Sequence, residues 1–172
     1  TDVGVNKATG PFFKAADTPQ KMIELGEEGI REYIKTINLY PTKAKRIFEL
    51  SRIIQSEYAG RVPDTMEELI KLPGVGRKTA NVVLGNAFDK PGFPVDTHVI
   101  RVTGRLHWRS DWASPTPDPV AIEREITACF PPSEWTDLSH RLIMHGRTTC
   151  HARKPDCLDC PLNDTCPSAF KV

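Results

Sequence analysis

Apolar residues recur at three- and four-residue spacing through this 172-residue chain, and no alternating stretch is long enough to make a strand. The sequence therefore predicts an all-α fold. The clearest helix covers 42–58, where Ala44, Ile47, Leu50, Ile54 and Tyr58 share one face between Pro41 and Gly60. Asp64 with Glu67 three residues on has the spacing of a capping box, which predicts a short helix through Met66, Leu69 and Ile70 ending at Pro73. Beyond the turn Leu72-Pro73-Gly74-Val75-Gly76, the residues Ala80, Val83, Leu84, Ala87 and Phe88 form a helical stripe expected to be buried. Lys78 falls well round that helix from the stripe, at about 100° per residue. Further helices are expected from Thr97 to Trp108, from Pro119 to Phe130 behind an Asp118 cap, and from Glu134 to His145, with Gly146 as C-terminal cap. The Pro-, Gly-, Ser- and Asp-rich stretches 89–94 and 110–118 read as loops.

Hydrophobic residues at 39% and charged residues at 26% are the balance of a soluble domain. No apolar run approaches the roughly 18 residues of a membrane span, so no membrane partner is expected. A net charge of +1 argues against holding nucleic acid by bulk electrostatics, yet the charge is segregated. Residues 70–109 carry seven cations (Lys71, Arg77, Lys78, Lys90, Arg101, Arg105, Arg109) against two acids, a net of +5. Residues 110–139 carry Arg124 against six acids, a net of −5, and 139–155 carry Arg141, Arg147, Arg153 and Lys154 with no acid. The chain starts at Thr1 without an initiator Met or the layout of a secretory signal, so a cut N-terminus is expected. Four of the five cysteines crowd into the last 23 residues, which suits a metal site in a reducing, intracellular setting better than a disulfide framework. Cys129, on the apolar side of its helix, is expected in the core.

Three constellations carry candidate chemistry. In the first, Gly74 and Gly76 can both take positive φ and leave backbone N–H groups uncovered at the start of a helix, ready for a phosphate; the same glycines also suit a turn needing them for geometry alone. Lys78, two residues into that helix, is either a phosphate contact or a nucleophile. A lysine ordinarily titrates near 10.4, and the helix N-terminus and Arg77 would both favour its neutral form. The second is Val95-Asp96-Thr97-His98, where Asp96 can cap the next helix or serve as an ionised carboxylate in proton transfer. The third is the set Cys150, Cys157, Cys160 and Cys166, separated by six, two and five residues, which suits an iron–sulfur cluster or a structural zinc held by four thiolates. Between the first two cysteines, His151, Arg153 and Lys154 make a basic loop that a metal staple would hold ready for phosphates.

Taken together, LPGVGRKTANVVL, VDTH followed by Arg101 and Arg105, HGR and the four-cysteine loop resemble the endonuclease III family over essentially the whole chain. The resemblance implies a helix-hairpin-helix DNA glycosylase fold: a six-helix barrel-type domain over residues 1–90, a domain over 91–172 ending in a 4Fe-4S cluster held by the four cysteines, and an active-site cleft between them. It implies a base excision repair enzyme acting as a monomer on double-stranded DNA containing damaged bases or abasic sites, cytoplasmic and nucleoid-associated in a bacterium. Lys78 would attack the sugar and Asp96 would assist. DNA contacts would come from Leu39 as a wedge in the NLYPTKA turn, from Leu72, Gly74, Val75 and Gly76, and from Arg147, Arg153 and Lys154. Leu39 could equally be a core leucine anchoring its turn. The alternatives are an adenine-mismatch glycosylase, against which Lys78 speaks, and a non-catalytic DNA-binding module with a structural four-cysteine zinc. Family members carry further N-terminal sequence, including a helix of each domain and a polar residue that fills the gap left by the flipped base.

Overall fold

The computed structural model describes residues 2–172, and Thr1, on which the expectation of a cut N-terminus falls, lies outside them. Among the described residues all regular structure is helical. They divide between Gly76 and Arg77 into two compact units, earlier than the expected division after residue 90.

The first unit holds α1 (Asp2–Ala15), α2 (Pro19–Ile34), α3 (Tyr40–Glu57) and α4 (Met66–Leu69). Thr18 caps α2 by accepting from Lys21 N at 3.2 Å, and Pro19 follows where no donor is needed. The left-handed φ of +73° at Gly26 kinks α2, a conformation glycine adopts without a Cβ clash. Phe12, Ala16, Ile30, Ile34 and Ala44 pack where α1, α2 and α3 meet. Each of the larger side chains contributes about 1.5–3 kcal/mol by leaving water. Thr65, not Asp64, caps α4: its Oγ1 accepts from Glu68 N at 3.4 Å and donates to Glu68 Oε2 at 2.9 Å, so the box sits one residue later than expected.

The second unit holds α5 (Arg77–Ala87), α6 (Thr97–Arg105), α7 (Pro119–Ala128), a 3-10 turn (Pro132–Glu134) and α8 (Trp135–Thr148). Its core joins Phe93, Val95, Val99, Val102, Ile122, Ile126 and Leu142. The stripe on α5 differs from expectation at its far end: Ala80 and Leu84 are buried and Ala87 is exposed, while Asn81 is 3% exposed. α6 stops at Arg105 rather than Trp108 because His107 turns left-handed, φ 53°. Trp108 N then bonds Thr103 O and His107 N bonds Gly104 O, both at 3.0 Å, which closes the helix end.

Gly146 does not end α8, which runs on to Thr148. It is buried because α6 crosses there: a Cβ on Gly146 would fall 2.9 Å from His98 Cβ. Cys129 is exposed rather than in the core, since α7 ends at Ala128 and the thiol lies in the cap, its Sγ donating to Glu125 O at 3.4 Å.

Candidate active site

Lys78 is exposed on the first turn of α5, and nothing among the described residues bonds or ion-pairs its amine. Its neighbour Arg77 instead makes a two-pronged pair with Glu123 of α7, Nε to Oε2 at 2.7 Å and Nη2 to Oε1 at 2.9 Å. The cation expected to act on Lys78 is therefore matched by a carboxylate, and the pair fixes the start of α5.

In the preceding turn only Gly74 has a left-handed φ, +82°, and Gly76 does not. A Cβ on Gly74 would also lie 2.9 Å from Arg46 Cδ, so this glycine is required twice over. Val75 N is taken by Leu72 O at 3.0 Å, whereas the N–H groups of Gly74 and Gly76 meet no backbone acceptor among the described residues. Leu72 is 4% exposed, with its own N–H bonded to Leu69 O at 3.1 Å; it shapes the turn, and of the four hairpin residues expected to meet DNA, the two glycines present open donors.

Asp96 caps α6: Oδ1 accepts from His98 N at 2.8 Å and Val99 N at 2.9 Å. Both bonds use one oxygen, and Oδ2 has no partner among the described residues. Asp96 and Lys78 belong to the same compact unit, and no hydrogen bond or ion pair joins them.

None of the four cysteines is in a disulfide, and all four line one recess together with Val102, Leu106 and His145. Two arginines of α6 hold the start of this loop. Arg101 donates from Nε to Cys150 O at 3.0 Å and from Nη2 to Gly146 O at 2.7 Å, with His98 Nδ1 at 3.0 Å. Arg105 donates from Nη1 to Cys150 Sγ at 3.2 Å and to His151 O at 2.6 Å, and from Nη2 to Ala152 O at 3.1 Å. Leu162 N points at Cys160 Sγ at 3.4 Å, and His145 Nε2 stands 3.8 Å from the same sulfur. Burial lowers the His145 pKa, which favours a neutral imidazole. Donors aimed at sulfur are what metal-bound thiolates accept. Four cysteine thiols lining one recess are the donor set of an iron–sulfur cluster.

Leu39 is 67% exposed with a left-handed φ of 58° at the head of α3, so it is no core anchor. Arg147, Arg153 and Lys154 are exposed at the end of α8 and in the cysteine loop. In the sequence Arg101 and Arg105 stand as cations and as part of the family resemblance, with no structural role assigned to them. Their spacing of four residues puts both on one face of α6, the available signal for a shared task.

Residues 1–132 match the family described as HhH-GPD superfamily base excision DNA repair protein, and residues 150–166 match the iron-sulfur binding domain of endonuclease III. Endonuclease III of Rickettsia conorii (strain ATCC VR-613 / Malish 7) is 46% identical over 172 residues, 100% of this chain and 80% of that protein. Endonuclease III of Escherichia coli (strain K12) is 45% identical over 172 residues, 100% of this chain and 79% of that protein. Among solved structures, a trapped endonuclease III–DNA covalent intermediate superposes with a TM-score of 0.90 at 40% identity, covering 98% of this chain and 78% of that one. A thermostable thymine-DNA glycosylase gives 0.88 at 26% identity, covering 100% and 79%. The matched residues include the glycine turn, Lys78, Asp96 and all four cysteines: this chain belongs to the HhH-GPD superfamily of base excision DNA repair proteins, in its endonuclease III family, and carries that family's iron–sulfur binding domain.

Proposed function

We propose that this chain is a bifunctional DNA glycosylase and abasic-site lyase that removes oxidised pyrimidines from duplex DNA, working as a monomer in the cytoplasm on nucleoid DNA. The observation that carries the reading is Lys78: an exposed amine without a partner, one residue past the start of α5 and directly behind a turn whose glycine N–H groups are open. A target base must leave the stack before its sugar can be attacked, and Leu39 is the exposed side chain suited to fill the duplex behind it. Arg147, Arg153, Lys154 and the open glycine amides hold phosphates without reading sequence.

Neutral Lys78 Nζ attacks C1′ of the flipped nucleotide; the glycosidic C–N bond breaks and its electron pair leaves with the base. Asp96, ionised, stabilises positive charge developing on the sugar and takes the proton from the lysine nitrogen, with Oδ2 available for this while Oδ1 caps α6. Ring opening gives a Schiff base; loss of a C2′ proton then expels the 3′ phosphate oxygen and cuts the strand. Cys150, Cys157, Cys160 and Cys166 would hold a 4Fe-4S cluster, which when bound ties the basic loop down and supplies no step of this sequence.

Borohydride should trap a covalent complex between the protein and DNA holding an abasic site or an oxidised pyrimidine, and Lys78→Ala should abolish it. Trapping by Lys78→Ala at the rate of the parent protein would reject Lys78 as the nucleophile. A panel of lesions in the same assay, including adenine mispairs, sets the substrate range.

A further inference from the structure

The stretch linking the Lys78 helix to Asp96 is buried main chain held by two hydroxyls of α8. Gly92, Phe93, Pro94 and Val95 are all buried. Gly92 lies directly on α5: a Cβ there would fall 2.4 Å from Asn81 O, less than one turn along the helix from Lys78. Thr136 of α8 wedges beside it. Its Oγ1 donates to Gly92 O at 3.2 Å, and its side chain fills the space where a Cβ on Gly85 of α5 would come within 2.7 Å. One turn on, Ser139, fully buried, donates from Oγ to Pro94 O at 3.3 Å, two residues before Asp96. Nothing in the phosphate-binding turn, the cap or the cysteine loop requires these contacts.

We infer that Thr136 and Ser139 are positioning residues for the lysine chemistry: together they clamp the linking strand of main chain against α5 and so set the spacing of Lys78 and Asp96. Two glycine-scale contacts, Gly92 on Asn81 O and Gly85 on Thr136, leave this junction no slack in packing, and the two hydroxyls saturate the carbonyls that would otherwise be buried unpaired. A clamp of this kind acts on where two reacting groups stand and leaves the phosphate contacts alone. Its loss therefore appears in the chemical step, where a displacement of about 1 Å can lower a rate by about a hundredfold. The inference rests on the roles proposed for Lys78 and Asp96.

The test uses the full chain with its cluster and four variants: Thr136→Val, which keeps the shape against Gly85 and removes the donor; Ser139→Ala; the double variant; and Thr136→Ser, which restores the donor. Single-turnover release of an oxidised pyrimidine and DNA affinity are measured separately, with the melting temperature and the cluster's visible absorbance as controls of folding. The expected result is a fall of about tenfold in single-turnover rate for the double variant, smaller falls for each single change, unchanged DNA affinity, and a normal rate for Thr136→Ser. An undiminished rate in the double variant overturns the clamp. So does a fall in rate shared by Thr136→Ser, or one that only follows lost stability across the singles. Lys78→Ala run alongside separates the two ideas: if it still traps, the nucleophile assignment fails, and if it does not trap while the double variant is unimpaired, only the clamp fails.

Discussion

Asp96 caps α6, and the proposed mechanism gives it a second task that a single substitution can pull apart from the first. As a cap it needs only an acceptor oxygen for His98 N and Val99 N, and asparagine caps about as well as aspartate. What asparagine lacks is the charge, whose attraction to the helix N-terminus is worth about 0.3–1 kcal/mol. Asp96→Asn should therefore lower stability by no more than about 1 kcal/mol while slowing base release by about 10²–10⁴-fold, the usual contribution of a positioned proton-transfer group. Thermal melting beside single-turnover kinetics checks this. A rate loss in Asp96→Asn no larger than its stability loss accounts for would leave Asp96 as a cap alone. Leu39 makes the complementary case. A leucine in left-handed conformation is disfavoured by about 1–2 kcal/mol, and here it is also 67% exposed, so neither backbone preference nor burial accounts for it; the wedge role proposed above would.

At the scale of elements, α6 is the structural bridge between the carboxylate and the cysteine loop, with Asp96 at its head and Arg101 and Arg105 reaching Cys150 from its flank. Arg105→Ala removes three donors at once, leaving Cys150 Sγ and the carbonyls of His151 and Ala152 without them. Hydrogen bonds from a charged donor are worth about 1.5–3 kcal/mol each, so the loop should loosen while α6, whose cap and core contacts are untouched, persists. The expected outcome is faster bleaching of the cluster's absorbance near 400 nm on aeration, with helical circular dichroism retained; equal bleaching rates for the two proteins would remove Arg105 from the cluster's support. This bridge marks the limit of what the sequence disclosed. The helices α3, α5, α6, α7 and α8, the exposure of Lys78, the cap at Asp96 and the four cysteines all follow from local spacing. The inward turn of Arg101 and Arg105 depends on partners more than forty residues away, as do the packing of Gly146 on His98 and the place of Thr136 between two glycines. The cap of α4 lies one residue from its expected place because Asp64–Glu67 and Thr65–Glu68 have the same spacing, and only the fold selects between them. α1 and α2 are hidden by Pro11 and by the Gly26 kink, which interrupt a regular stripe.

For the whole molecule the question is how a chain of net charge +1 holds a polyanion. Residues 70–109 and 139–155 together carry eleven cations, and if all of them met phosphates the affinity would fall with salt at a log–log slope of about −10, at about −0.9 per phosphate. The structure removes several from that count. Arg101 and Arg105 are bound to the cysteine loop, Arg109 is 5% exposed and paired with Asp111, and Arg77 is paired with Glu123. The DNA contacts proposed above supply four exposed cations, Lys78, Arg147, Arg153 and Lys154, together with the neutral amides of Gly74 and Gly76. Neutral donors hold a phosphate without displacing its counterions to the same extent, so they contribute affinity with little salt dependence. The expected slope is therefore about −3 to −4, measured by fluorescence anisotropy on a duplex carrying an abasic-site analogue across a range of potassium chloride concentrations. Arg153→Ala and Lys154→Ala should each make the slope shallower by about 1, whereas Arg101→Ala should leave it unchanged, since that guanidinium already lies against Cys150 and Gly146. A slope near −10, or one that Arg101→Ala makes shallower, would mean that the α6 arginines leave the cysteine loop to meet DNA, and the loop would then be a part that moves on binding rather than one held ready for it.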